Sequence, residues 1–149
     1  MIDVASLVFD TVYNGINNVR QDVTVTKGYI EEKASMPCVV VRETGNVPVQ
    51  DTNTDDCAEN YSRLTYQVEV YSEKPGIARS ECRELLNLVD GIMSGMKFRR
   101  TYISDAFNEN RTRYRQYARF AVIVSKGVTT TTGTGDEAET TTTFHMYRR

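Results

Sequence analysis

Hydrophobic positions change period along this chain, and the changes mark out its elements. Over residues 3–18, Val4, Leu7, Val8, Val12 and Ile16 recur at intervals of three and four, the repeat of a helix with one apolar stripe. Asp3 stands where its carboxylate can accept from an unpaired N–H of the first turn, and Gly15 weakens the far end. The period then falls to two. Residues 22–26 alternate, with Val23 and Val25 on one face, and residues 36–42 are short and β-branched. Pro37 belongs at the start of that second strand, because it has no N–H to give a ladder. Residues 43–60, ETGNVPVQDTNTDDCAEN, read as a polar, acidic loop.

The alternation is clearest over residues 63–71. Leu64, Tyr66, Val68 and Val70 point one way, and Thr65, Gln67 and Glu69 the other. After the turn Lys74-Pro75-Gly76 a second helix spans residues 77–95. Ala78, Cys82, Leu85, Val89, Ile92 and Met96 make its stripe, and Arg79, Glu81, Arg83 and Glu84 fall on the other face. Two further strands, 97–104 and 114–125, flank a polar loop, and Ala118, Phe120, Val122 and Val124 share a face of the second. A helix must bury its stripe and a one-sided sheet its apolar face. The pattern therefore predicts an α+β fold, a largely antiparallel sheet with two helices packed on one face, over residues 1–127.

Residues 128–149 form a C-terminal extension of different character. Threonine runs flank Gly133, Gly135, Asp136 and Glu137, and the chain ends FHMYRR. Such a segment reads as a β-hairpin extension, two threonine arms with a turn-rich tip, with a disordered low-complexity tail as the alternative. Polar on both faces, a hairpin of this kind has no core of its own. Phe144, Met146 and Tyr147 then need a sheet edge or groove, which is expected on another chain.

Composition narrows the function by exclusion. With 149 residues, 40% hydrophobic and 26% charged, the chain is an ordinary single-domain mixture, and its net charge of −2 demands neither nucleic acid nor membrane. The first residues lack the basic region of a signal peptide, and no run is long enough to span a bilayer. Cys38, Cys57 and Cys82 are odd in number and lack CxxC spacing, which suits reduced thiols. His145 is the single histidine, and there is neither a phosphate-binding GxxxxGK[ST] nor a GxGxxG. The pairs Glu31-Glu32 and Asp55-Asp56 could hold a cation or act as acid and base, but acid pairs on loops are usually just solvated. His145 reads as a packing residue or a pH-sensitive contact. Tyr61, Tyr66 and Tyr71 read as core or cross-strand residues before base-stacking ones. No catalytic residue, cofactor or metal is expected.

Charge is segregated, however. Residues 31–59 hold seven acids (Glu31, Glu32, Glu43, Asp51, Asp55, Asp56, Glu59) against Lys33 and Arg42. Residues 97–119 hold seven bases (Lys97, Arg99, Arg100, Arg111, Arg113, Arg115, Arg119) against Asp105 and Glu109. Alternation puts Arg113, Arg115 and Arg119 on the strand face opposite Phe120 and Val122, away from the helices. Such a face is a solvated surface, a phosphate-binding surface, or a contact for the acidic loop of another copy.

The order of elements resembles that of the tail terminator, or tail-completion, proteins of long-tailed bacteriophages. The stretches that carry it are MIDVASLVFDTVYNGI, MPCVVVRE, YSRLTYQVEVYS, IARSECRELLNLVDGIM, and the pair MKFRRTYISD and YRQYARFAVIVS, over residues 1–126. The resemblance implies a structural virion protein, assembled in the bacterial host cytoplasm. It implies a homo-oligomeric ring, a hexamer, that caps the tail tube, stops its growth and joins it to the head connector. Tail tube protein and connector or stopper protein are the implied partners, with DNA passing through the lumen and no membrane. Head-completion and stopper rings of the neck are the nearest alternative, and a nucleic-acid-binding module using the 97–119 face is the alternative of another class. In the ring, Arg113, Arg115 and Arg119 of one copy are expected to meet Asp55 and Asp56 of the next, and Phe144 and Tyr147 to dock on a neighbour.

Overall fold

In a computed structural model of the chain, residues 1–30, 34–50, 60–107, 113–132 and 139–147 are described. They form α1 (Ala5–Asn17), β1 (Thr24–Lys27), β2 (Cys38–Pro48), β3 (Tyr61–Ser72), α2 (Ala78–Gly95), β4 (Arg99–Phe107), β5 (Tyr114–Thr132) and β6 (Glu139–Tyr147). The sheet order is β1-β2-β3-β5-β4, with β6 added to β5. Only the short β1–β2 pair is parallel among these strands. The fold is α+β, as the periodicities predict.

Both helices cover one face. Val8, Val12 and Ile16 of α1 and Cys82, Leu85, Leu86, Val89 and Met93 of α2 pack into a single core with Leu64, Tyr66, Val68 and Val70 of β3 and Ala118, Phe120, Val122 and Val124 of β5. Leu7, predicted in the α1 stripe, points outward and is 49% exposed. Asp3 accepts from the N–H of Ala5 at 2.9 Å, while Val4 holds the cap position itself. Gly15 does more than loosen a helix end. A Cβ on it would stand 2.6 Å from Cδ1 of Ile92, so its missing side chain lets α1 and α2 approach.

The structure corrects two boundaries and one face. Residues 43–48, read as loop, continue β2 against β3 after a register shift between Glu43 and Gly45. The Thr44 hydroxyl donates to the Thr65 carbonyl at 3.2 Å there, and the bulge lets a strand continue through residues that break simple alternation. Strand β4 begins at Arg99 instead of residue 97, because residues 96–98 close α2. The N–H of Lys97 bonds Ser94 O and that of Phe98 bonds Met93 O, both at 3.0 Å, and Lys97 takes a left-handed φ of 69°. This Schellman closure brings buried Phe98 over buried Met93. Phe98 also meets Tyr66 edge-on, ring centres 5.5 Å apart. Finally, Glu81, assigned to the outer face of α2, is buried. It lies in the first turn, where the helix dipole favours an acid, and accepts from Ser72 Oγ at 2.8 Å and from Arg20 at 3.3 Å.

The threonine runs form the hairpin. Thr129, Thr130, Thr131 and Thr132 pair with Thr142, Thr141, Thr140 and Glu139. The strand then returns along its own domain, pairing Phe144 with Lys126 and Tyr147 with Ile123. Because Ile123 and Ser125 already pair with Arg63 and Tyr61 of β3, β6 occupies the other side of β5, in line with β4. Phe144 and Met146 pack against the core, and Tyr147 lies 6.1 Å from the Tyr61 ring. The partners expected on a neighbouring chain are therefore supplied in the same chain: the alternation of FHMY matches an edge that β5 leaves open beyond β4. No helix among the described residues is long and apolar enough to cross a membrane.

Candidate functional site

The face of the sheet away from the helices carries the polar side chains. β3 contributes Gln67, Glu69 and Tyr71, and β5 brings Arg115, Tyr117 and Arg119 opposite them in the order Tyr71↔Arg115, Glu69↔Tyr117, Gln67↔Arg119. β2 adds Arg42 opposite Gln67, and β4 adds Tyr102 opposite Arg119.

Glu69 is the centre of this face and is only 7% exposed. Its Oε1 accepts from Gln67 Nε2 at 2.6 Å, from Arg115 at 2.8 Å and from Arg42 at 3.3 Å, and its Oε2 accepts from the Tyr71 hydroxyl at 2.6 Å. Burial pushes the carboxyl toward protonation, but the bonds from Tyr71, Gln67 and Arg115 outweigh it, and the group ionises below its ordinary range. Burial and the bond to Glu69 push the Tyr71 phenol up to about 12. Four donors thus hold a desolvated charge in place.

Arginines and tyrosines alternate beside it. The Arg115 guanidinium lies 5.8 Å from the Tyr71 ring centre and 5.3 Å from that of Tyr117. Arg119 lies 5.9 Å from Tyr117 and 5.7 Å from Tyr102, and its Nε donates to Gln67 Oε1 at 3.1 Å. These stacks add attraction between cation and ring face.

A second register shift shapes the end of the face. Between Arg100 and Tyr102 the β4–β5 ladder slips, and the Thr101 hydroxyl donates to Arg119 O at 3.2 Å. Arg99 pairs with Ala121 and Tyr102 with Arg119, so residues three apart both lie on the open face. A cleft of about 470 Å³ opens beside the start of β4, lined by Arg63, Arg99, Arg100, Thr101, Ala121, Val122 and Ile123.

The residues singled out from sequence fall as follows. Arg115 and Arg119 lie on the open face as alternation requires. Arg113 bonds Glu73 at 2.8 Å and Arg115 bonds Glu69, so both have carboxylate partners inside the chain, on β3 or directly after it. Asp55, Asp56, Glu31 and Glu32 lie outside the described residues. Tyr66 and Tyr71 are buried, and Tyr61 meets Tyr147 across strands, the structural roles expected of them. His145 is exposed, between the inward-facing Phe144 and Met146. Among the described residues no group of three or more His, Cys, Asp or Glu is placed to hold a metal ion. Glu69 was missed as a site residue. Its signal was present only as an acid at the centre of the most regular strand, and its meaning depends on knowing that β5 lies beside β3.

No protein-family model matches the chain, and none of the curated proteins does either.

Proposed function

We propose that this chain is a structural ring subunit of a bacteriophage tail or neck, a tail terminator that caps the tail tube and joins it to the head connector. The element order supports this reading, and the observation that carries it is the arm. Beyond Lys126, β5 and β6 leave the sheet and, among the described residues, Thr129–Thr132 pair only with the returning strand. A two-stranded polar ribbon is marginal in isolation, and its unpaired edges are templates for another strand. A subunit that assembles head-to-tail with its own copies has a use for such an arm. A stopper ring of the neck shares this logic and differs in what it binds.

Light scattering and negative-stain imaging of the purified protein test the proposal. Closed rings are expected, with binding to purified tail tube. Replacing residues 128–142 by a tight turn that joins Lys126 to Phe144 keeps the β6 pairing in the domain and is expected to leave a folded protein with weakened rings or tube attachment. A protein that remains monomeric at high concentration and ignores the tube overturns the proposal. Rings that bind a connector but not a tube assign the chain to the stopper class.

A further inference from the structure

We propose that the cleft over Ala121 binds the phosphodiester backbone of a single-stranded nucleic acid, with the adjoining tyrosines receiving its bases. The inference does not depend on the ring reading. Three arginines, Arg63, Arg99 and Arg100, reach the cleft from two strands, and Thr101 adds a hydroxyl. Among the described residues no aspartate or glutamate lines it. Asp90 of α2 lies outside the lining and meets Arg100 at 3.1 Å. The chain carries a net charge of −2, so this concentration of guanidinium groups is local and is not the overflow of a basic protein.

The geometry favours phosphate. Guanidinium groups present forked donors that match its oxygens. Ala121, Val122 and Ile123 complete the lining, so among the described residues an anion entering the cleft meets guanidinium donors and no competing carboxylate. The bulge at Thr101 has a function here: it turns Arg99 and Tyr102 to the same side, which a regular strand cannot do.

The geometry also favours a single strand. Next to the cleft along β5 come Arg119 and the rings of Tyr102 and Tyr117, tilted together with centres 5.8 Å apart. Tyr102 is 48% exposed, which leaves ring surface for a base to stack upon. Duplex bases are already stacked on each other and cannot use it. An open sheet face with aromatic residues, backed by two helices, is the arrangement by which sheets display bases to solvent.

Fluorescence anisotropy with a labelled oligothymidine at low salt tests the proposal, alongside a duplex of equal length and polyglutamate. The variants are Arg63→Ala, Arg63→Ala with Arg99→Ala, and Arg83→Ala on the exposed outer side of α2 as a charge control. Arg63 and Arg99 are exposed, so the fold is expected to survive, and circular dichroism verifies it. The oligothymidine is expected to bind more tightly than the other two polyanions. Each cleft arginine removed is expected to cost about tenfold in affinity. Each is also expected to lower the slope of log affinity against log salt by about 0.7. Arg83→Ala is expected to change neither. Absence of binding, binding indifferent to Arg63 and Arg99, equal binding of polyglutamate, or tighter binding of the duplex each overturns the proposal. Light scattering on the same samples reports assembly separately.

Discussion

Replacing Glu69 by glutamine tests whether the open face is organised around one buried charge. The amide keeps the size and one acceptor oxygen, but it removes the charge that Arg42 and Arg115 share. A hydrogen bond to a charged group contributes about 1.5–3 kcal/mol when buried. Arg42 and Arg115 are 38% and 27% exposed in their side chains, so solvent screening reduces each contribution. The Tyr71 hydroxyl can rotate to accept from the new amide, which preserves part of its bond. The sum is a loss of about 2–3 kcal/mol near neutral pH. At roughly 3 °C per kcal/mol for a chain of this size, the melting temperature falls by roughly 6–9 °C. The dependence on pH is the sharper test. The folded-state carboxyl ionises below its unfolded value. Its contribution is therefore complete above the ordinary carboxylate range and is lost as pH falls through the folded value. Urea unfolding followed by far-UV circular dichroism, from about pH 7 down to about pH 3, is expected to show the two proteins converging in acid. A difference under about 1 kcal/mol at neutral pH, or one that stays constant as pH falls, refutes the view that Glu69 is held as an anion by its four donors.

Two further outcomes test the helix layer. Leu85 is fully buried between α2 and the sheet, so Leu85→Ala is expected to cost about 2–5 kcal/mol in urea unfolding, and a loss below about 1 kcal/mol places the stripe elsewhere. Burial, with a smaller contribution from neighbouring Glu81 and Asp105, pushes the Cys82 thiol up to about 12, and Cys38, equally enclosed, is also raised. Iodoacetamide near pH 8 is therefore expected to spare both in the native protein and to label both in urea, read peptide by peptide in a mass spectrometer; rapid native labelling of either refutes the closed core.

What could be read in advance was what depends on side-chain period. The stripes of α1 and α2 and the alternation of β3 and β5 were legible because each residue's apolarity reports its own face. Failures came where backbone geometry intervened. The bulges near Gly45 and Thr101 shift the alternation by one residue, and the left-handed turn at Lys97 delays the start of β4 to Arg99 although α2 ends at Gly95 as expected. They also came where polar residues are buried. Glu69 and Glu81 look like solvated acids until the strands and loops that bring Arg115 and Arg20 to them are known. The segregation of bases into residues 97–119 was visible, but the partners of Arg113 and Arg115 within the chain were not. Glu69 and Glu73 meet Arg115 and Arg113 from the neighbouring strand, a pairing set by register. The Ala121 cleft left no trace in the sequence, since its lining residues come together only through the register of β3, β4 and β5.

β5 runs as one strand from Tyr114 to Thr132, 19 residues and about 60 Å of extended chain. Its first part lies between β3 and β4 in the middle of the sheet, and its last part is one rail of the arm. Mechanically it is a cantilever whose root is the best-anchored strand of the domain. Tension along the arm loads the ladder to β3, from Tyr61↔Ser125 to Ser72↔Tyr114, in shear, so that many bonds share the load at once instead of unzipping in turn. An object gripping the arm therefore pulls, through the continuous backbone of β5, on the ladder to β3 and so on the folded core.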